Sequence, residues 1–175
     1  MKRAILITFS LILSMSAIAQ TNLAPEWDGF TRSNAQTNEA YFTQNGRTGG
    51  VSAFNTTELR IGVYSFDFSS IVTEIESPEL QLFNTASIDG EIYLTAVQHD
   101  LTTTPTWDAL GLMHESHGGT MTDMGDTVVT KTIAVGDANA IMSFSSAELT
   151  TAIVDAKNAG KKLALIVINP GSTIK

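Results

Sequence analysis

The hydrophobic pattern has period two through most of the chain. In "TELRIGVYSFDFSSI", Leu59, Ile61 and Val63 alternate with polar or small residues, and then the phase slips so that Tyr64, Phe66 and Phe68 alternate instead. Period two predicts a strand; the slip beside Gly62 predicts either a bulge or a strand buried on both faces. In "SPELQLFNTASIDGEIYLTAVQHD", Leu80 and Leu82 point one way behind Pro78, and Ile92, Leu94 and Ala96 continue an inward face. Asp89-Gly90 between them is a favoured hairpin turn, because both central residues of a type I′ turn need positive φ. The pattern therefore predicts a β-hairpin with its return strand over 91–98. "DTVVTKTIAV" restores a strand rhythm, and "KKLALIVI" is a short apolar run of the buried-strand kind, closed by "NPG".

One segment has helical periodicity. In "SSAELTTAIVDAKNAG", Leu149, Ala152, Ile153 and Ala156 form an apolar stripe, with Ser145 and Glu148 spaced as a capping box and Gly160 as the stop. Residues 20–50 are rich in Asn, Thr, Gln and Gly, a composition of loops and extended segments, and 99–126 are mostly turn formers around "TPTWDALG". Short strands, turn-rich joins and a single short helix near the C-terminus predict an all-β fold, an antiparallel β-sandwich or jelly roll. The chain stops at "STIK", where a further strand begins. A sandwich lacking an edge strand exposes backbone hydrogen-bonding groups. The expectation is that the final strand belongs to a longer chain; the alternative is that a neighbouring molecule supplies it.

The first residues change what counts as the domain. Lys2 and Arg3 precede an apolar run too short for a comfortable membrane span, and Ala17-Ile18-Ala19 is a small-x-small cleavage pattern. Residues 1–19 are thus expected to be a signal peptide and 20–175 a single exported domain. No cysteine follows to carry a lipid anchor or a disulfide. Such a chain buries roughly 68–70% of its surface, enough for a core without disulfides. Cleavage removes two positive charges and no acid, so the net charge of -8 becomes -10. That balance argues against nucleic acid, whose phosphates call for basic patches, and less strongly against polyanionic sugars. After cleavage nothing is apolar enough to span a membrane.

The order of segments resembles a known family. "WDGFTRSN", "ELRIGVYSFDFSSI", "SPELQLFN", "TPTWDALG" and "NAGKKLALIVI" follow the order seen in secreted jelly-roll domains of the DNRLRE type, which are related to carbohydrate-binding modules. The "FDFSSI" and "PELQLF" pair and the "TW" are the most specific parts, and the similarity covers most of residues 27–168. The sequence departs from the family pattern in its absent closing strand and in its His- and Met-bearing loop. The resemblance implies non-catalytic polysaccharide binding or a structural role at the cell surface, usually beside other domains of a longer chain.

Candidate chemistry sits in two places. "GLMHESHGGTMTDMGD" holds two of the three histidines and invites a metal reading through His114, His117, Asp123 and Asp126. The zinc-protease pattern needs His residues four apart on a helix; position 118 is Gly, and the glycines disfavour a helix, so an ordinary polar loop is the expectation. No regular calcium loop occurs, and no metal or cofactor is assigned. Glu74, Glu76 and Glu79 suit a solvated connection, His99 an exposed histidine, and there is no nucleophile elbow, so no enzyme is expected.

Sugar binding uses aromatic faces and planar polar groups. Trp27, Arg32, Tyr41 and Arg47, in the polar N-terminal third, are the candidate carbohydrate contacts. The competing reading has Trp27 closing one end of the sandwich and Arg32 paired with Glu26 or Asp28. Trp107 is expected to pack, and Tyr64, Phe66 and Phe68 to form core.

Overall fold

The computed structural model describes residues 21–32, 60–84, 90–103, 105–113, 121–134, 137 and 139–168. The fold is an antiparallel, all-β, sandwich-like arrangement with one short helix. Its strands are β1 (Trp27–Arg32), β2 (Arg60–Phe66), β3 (Leu80–Asn84), β4 (Gly90–His99), β5 (Asp126–Ile133), β6 (Ala140–Phe144) and β7 (Lys162–Ile168), with the helix α1 (Ala147–Asn158) between β6 and β7. Five strands form one sheet in the order β1-β2-β7-β4-β5; β3 and β6 form a separate two-stranded ribbon.

The large sheet is buried on both faces. Along β7, Leu163, Leu165 and Val167 pack with the ribbon and α1, through Leu80, Met142, Phe144, Leu149 and Ile153. The intervening Ala164, Ile166 and Ile168 pack on the opposite side against Trp107, Leu110, Leu112 and Met124. This explains the phase slip in β2. Ile61 and Val63 belong to the Trp107 side and Tyr64 and Phe66 to the helix side, so every second residue is buried whichever phase is followed. Register runs unbroken through Gly62 to both neighbours, and there is no bulge there. The irregularity lies instead between β4 and β5, at Leu94/Thr95.

The expected hairpin does not form. β3 pairs with β6, while β4 pairs with β5 and β7. Alternation had identified the inward residues, since Leu80, Leu82, Ile92 and Leu94 all contribute to one core. They reach it from opposite layers. Residues 85–89, where the turn was expected, lie outside the described residues; Gly90 does take φ 128°. β6 was not anticipated.

The helix lies where its stripe predicted, with Leu149, Ile153 and Ala156 buried, but its cap is Ser146 and not Ser145. The Ser146 hydroxyl accepts from Leu149 N–H and donates to the Val128 carbonyl on β5. That second bond ties helix to sheet and draws the cap one residue onward, so Glu148 no longer occupies the capping-box position. At the other end Gly160 has φ 66°, and Lys161 N–H and Gly160 N–H bond to the carbonyls of Ala156 and Lys157, a Schellman closure.

On the far face, tight turns fold "PTWDALG", residues 105–111, so that Trp107, Leu110 and the following Leu112 point into the sheet. Leu110 N–H reaches Thr106 O, and Leu112 N–H reaches Trp107 O. Trp107 is wholly buried, as a packing residue should be. Gly125 joins a 3-10 turn at Met121–Met124 to β5. Its φ is 92°, and a Cβ there would sit 2.6 Å from Val97 Cγ2 and 2.9 Å from the Ala96 carbonyl oxygen, so only glycine fits. Residues 169–175, where a closing strand was expected to begin, lie outside the described residues.

Candidate functional site

Among the described strands β1 is the outermost of the large sheet on its side, and Trp27 stands at its start. Register aligns Trp27 with Ser65, Ser65 with Ala164, and Ala164 with Val97, a single row across four strands on the Trp107 face. One step further along β4, His99 lies opposite Lys162. The sheet therefore gathers Trp27, Ser65, His99 and Lys162 at one end, although they are spread over more than a hundred positions of sequence.

Two ion pairs rim this end. Lys162 Nζ lies 2.6 Å from Glu26 Oε2, and Lys161 Nζ lies 3.1 Å from Asp100 Oδ2. The Asp100 pair is the more solvated, and exposed pairs of this sort contribute about 0–1 kcal/mol. Their value here is placement: the Glu26–Lys162 pair begins one residue ahead of the half-buried Trp27. Glu26 is also held by its backbone N–H, which bonds to Ser65 O at 2.7 Å. The indole nitrogen of Trp27 is turned away from solvent.

Beneath the rim lies a buried Ser–His pair. Ser65 Oγ is 2.9 Å from His99 Nε2, and the backbone N–H of Leu101 donates to His99 Nδ1 at 3.2 Å. An Nδ1 that accepts carries no proton, so in the neutral ring Nε2 holds it and donates to the serine. This is the reverse of nucleophilic catalysis, in which the imidazole nitrogen facing the hydroxyl must be free to take its proton. Burial, reinforced by the nearby Lys162, holds His99 below the usual imidazole range, against the opposing pull of Asp100 and Glu26. The pair ties strands together.

Of the four sugar-contact candidates, the described residues include Trp27 and Arg32; Tyr41 and Arg47 lie outside them. Trp27 and Arg32 begin and end the same strand, roughly 16 Å apart along the backbone at the rise of an extended chain. Glu26 pairs with Lys162, and Asp28 Oδ2 is buried with no hydrogen-bond partner among the described residues; the Arg32 side chain, expected to pair with one of these two acids, lies outside what the structure describes. His114 and His117 lie outside the described residues. Asp123 and Asp126 are exposed, and among the described residues no three His, Cys, Asp or Glu side chains converge as a metal would require.

The sequence-based view of His99 needs correction: it is buried, not exposed. In a strand covered on both faces, the residues that alternate with Ile92, Leu94 and Ala96 are covered too: Thr95 and His99 are buried, Tyr93 and Val97 half-buried. The apolar run of β7 was the available signal that this sheet has two covered faces.

A concavity of about 380 Å³ runs between α1 and strands β4 and β5. Thr127, Thr151, Glu148 and Asp155 line it over a floor of Ala96 and Leu163, and it holds no aromatic ring. It shares no residue with the Trp27 end. Among the described residues no helix is long and apolar enough to cross a membrane. No protein-family model matches the chain, and no curated protein matches it.

Proposed function

We propose that the protein is a secreted, non-catalytic β-sandwich domain that binds polysaccharide at the Trp27 end of its large sheet, joined to or acting beside a carbohydrate-active protein. The observation that carries this reading is the half-buried Trp27 on the outermost described strand, with Glu26 of the Glu26–Lys162 pair one residue before it. An aromatic body with hydrogen-bonding groups at its margin suits the apolar face and hydroxyl rim of a pyranose. The similarity of segment order to DNRLRE-type domains points the same way. A panel of immobilised glycans tests it: at least one polysaccharide is retained by the protein, and Trp27→Ala weakens that binding about tenfold or more, while Trp27→Phe, which keeps a ring, retains most of it. Binding to no glycan overturns the proposal.

A different surface favours a second reading, a structural or adhesive cell-surface domain that positions other modules or self-associates. Phe83 and Ile141 face each other across the ribbon, 61% and 63% exposed. Concentration-dependent assembly together with no glycan binding would support that reading over the first.

A further inference from the structure

The Trp107 face of the sheet is closed by a strap carrying Leu101, Trp107, Leu110 and Leu112, and the strap begins at His99. Leu101, its first apolar residue, gives its backbone N–H to His99 Nδ1, while Nε2 is anchored to Ser65 on the far side of β7. Both ring nitrogens are thus committed, one accepting and one donating. Only the neutral imidazole satisfies both.

We propose that His99 is an acid-released latch for this strap. A proton added at Nδ1 sets two donors, the imidazolium N–H and the Leu101 N–H, against each other at hydrogen-bonding distance. It also places a positive charge on a buried ring. The acids around it, Asp100 and Glu26, relieve that charge only in part, and burial together with Lys162 outweighs them. Lys162 of β7 opposes it directly; Glu26, ahead of β1, is engaged by Lys162, and Asp100, at the end of β4, by Lys161. Ser65 from β2 is uncharged and can accept from Nε2–H in either state. Asp108 and Asp123, the described acids of the covering segment, are exposed.

Release is local because the strap's apolar residues pack only on one cluster. The opposite core, where α1 and the ribbon close the sheet, shares none of them. The sign follows from the depressed pKa of His99. The open strap returns the ring to its ordinary value of about 6.5, so the open form binds the proton more tightly. Closure is therefore complete above that value and is progressively lost as pH falls toward the lower value of the closed form. Within that window the open-to-closed ratio rises about tenfold per pH unit.

Hydrogen exchange read amide by amide tests the latch. The protein carries His114→Gln and His117→Gln, so that His99 is the only imidazole. Between about pH 7.5 and pH 5, protection at Leu110, Leu112 and Met113, corrected for intrinsic exchange, is expected to fall as pH drops below the ordinary imidazole value, with a slope approaching about tenfold per unit and levelling off once the lower value of the closed form is passed. Amides of α1 are expected to hold steady, and His99→Gln to abolish the dependence. Flat protection in the strap, an equal fall in α1, or an unchanged fall in His99→Gln each overturns the proposal. Nitrogen chemical shifts of His99 give a check that needs no His99 variant: a proton on Nδ1 at neutral pH, or a pKa at or above the ordinary value, overturns it as well.

Discussion

The large sheet and the ribbon are built from similar residues but covered differently. β7, "KLALIVI", is buried at every position from Leu163 to Ile168, because α1 and the ribbon close one face and the Trp107 strap the other. The ribbon strands "LQLFN" and "AIMSF" have only one covered face; Leu80, Met142 and Phe144 turn inward while Phe83 and Ile141 meet solvent. Their edges differ as well. β5, an outer strand of the large sheet, has a register break, its Val128 carbonyl sealed by Ser146, and Lys131 beside the ribbon over the Phe144 ring. Breaks and charges of this kind discourage edge pairing. The ribbon strands carry no charge and no proline. The large sheet is organised for stability, and the ribbon keeps one face available for contact.

The largest expected effect is at the strap. Trp107 is fully buried, so Trp107→Ala should destabilise the protein by about 3–5 kcal/mol, read as a lowered denaturant midpoint. Since domains of this kind are stable by roughly 5–15 kcal/mol, that is a large part of the total. A loss under about 1 kcal/mol would mean that the second face of the sheet contributes little.

A smaller effect is expected where the helix joins the sheet. Ser146→Ala removes the acceptor for Leu149 N–H and the donor for Val128 O, and should cost roughly 1–2 kcal/mol. Ser145, exposed one residue earlier, should tolerate alanine within about 0.5 kcal/mol. Thermal melting of the two variants side by side sharpens the contrast, and reversal of their order would restore the capping box as the true start of α1.

The positions of β2, β4, β5, β7 and α1, and the core role of Tyr64 and Phe66, were legible from periodicity, because burial is written locally; the packing role of Trp107 was expected only from the resemblance of its "TW" to the DNRLRE pattern. Pairing is not. Leu80 and Ile92 showed which way they face, but nothing local distinguishes a neighbour in the same sheet from one across the core. β6 went unseen because five residues with mixed alternation, "AIMSF", give too short a pattern to register. The site was less legible still. Trp27 could be singled out as an aromatic in a polar stretch, but Ser65, His99 and Lys162 join it only through the registers of β2, β7 and β4. Those registers are decided by core packing far from the residues themselves.

The smallest effect is expected on the ribbon's outer face, and there the comparison is most exposed to refutation. Phe83 and Ile141 are paired across strands, so each stabilises the other by about 0.2–1 kcal/mol at most. Replacing either by Thr, which keeps β propensity, should shift stability by no more than about 0.5 kcal/mol. Denaturant midpoints of the two single variants and the double variant give the coupling directly. If either side chain proves worth as much as Trp107, the outer face is covered in solution, and the ribbon is part of a second core. If the cost is small but the double variant loses a concentration-dependent increase in sedimentation rate, the same two side chains act between molecules. A sheet covered on both faces has no equivalent position, since every apolar replacement along β7 from Leu163 to Ile168 should register first as a loss of stability.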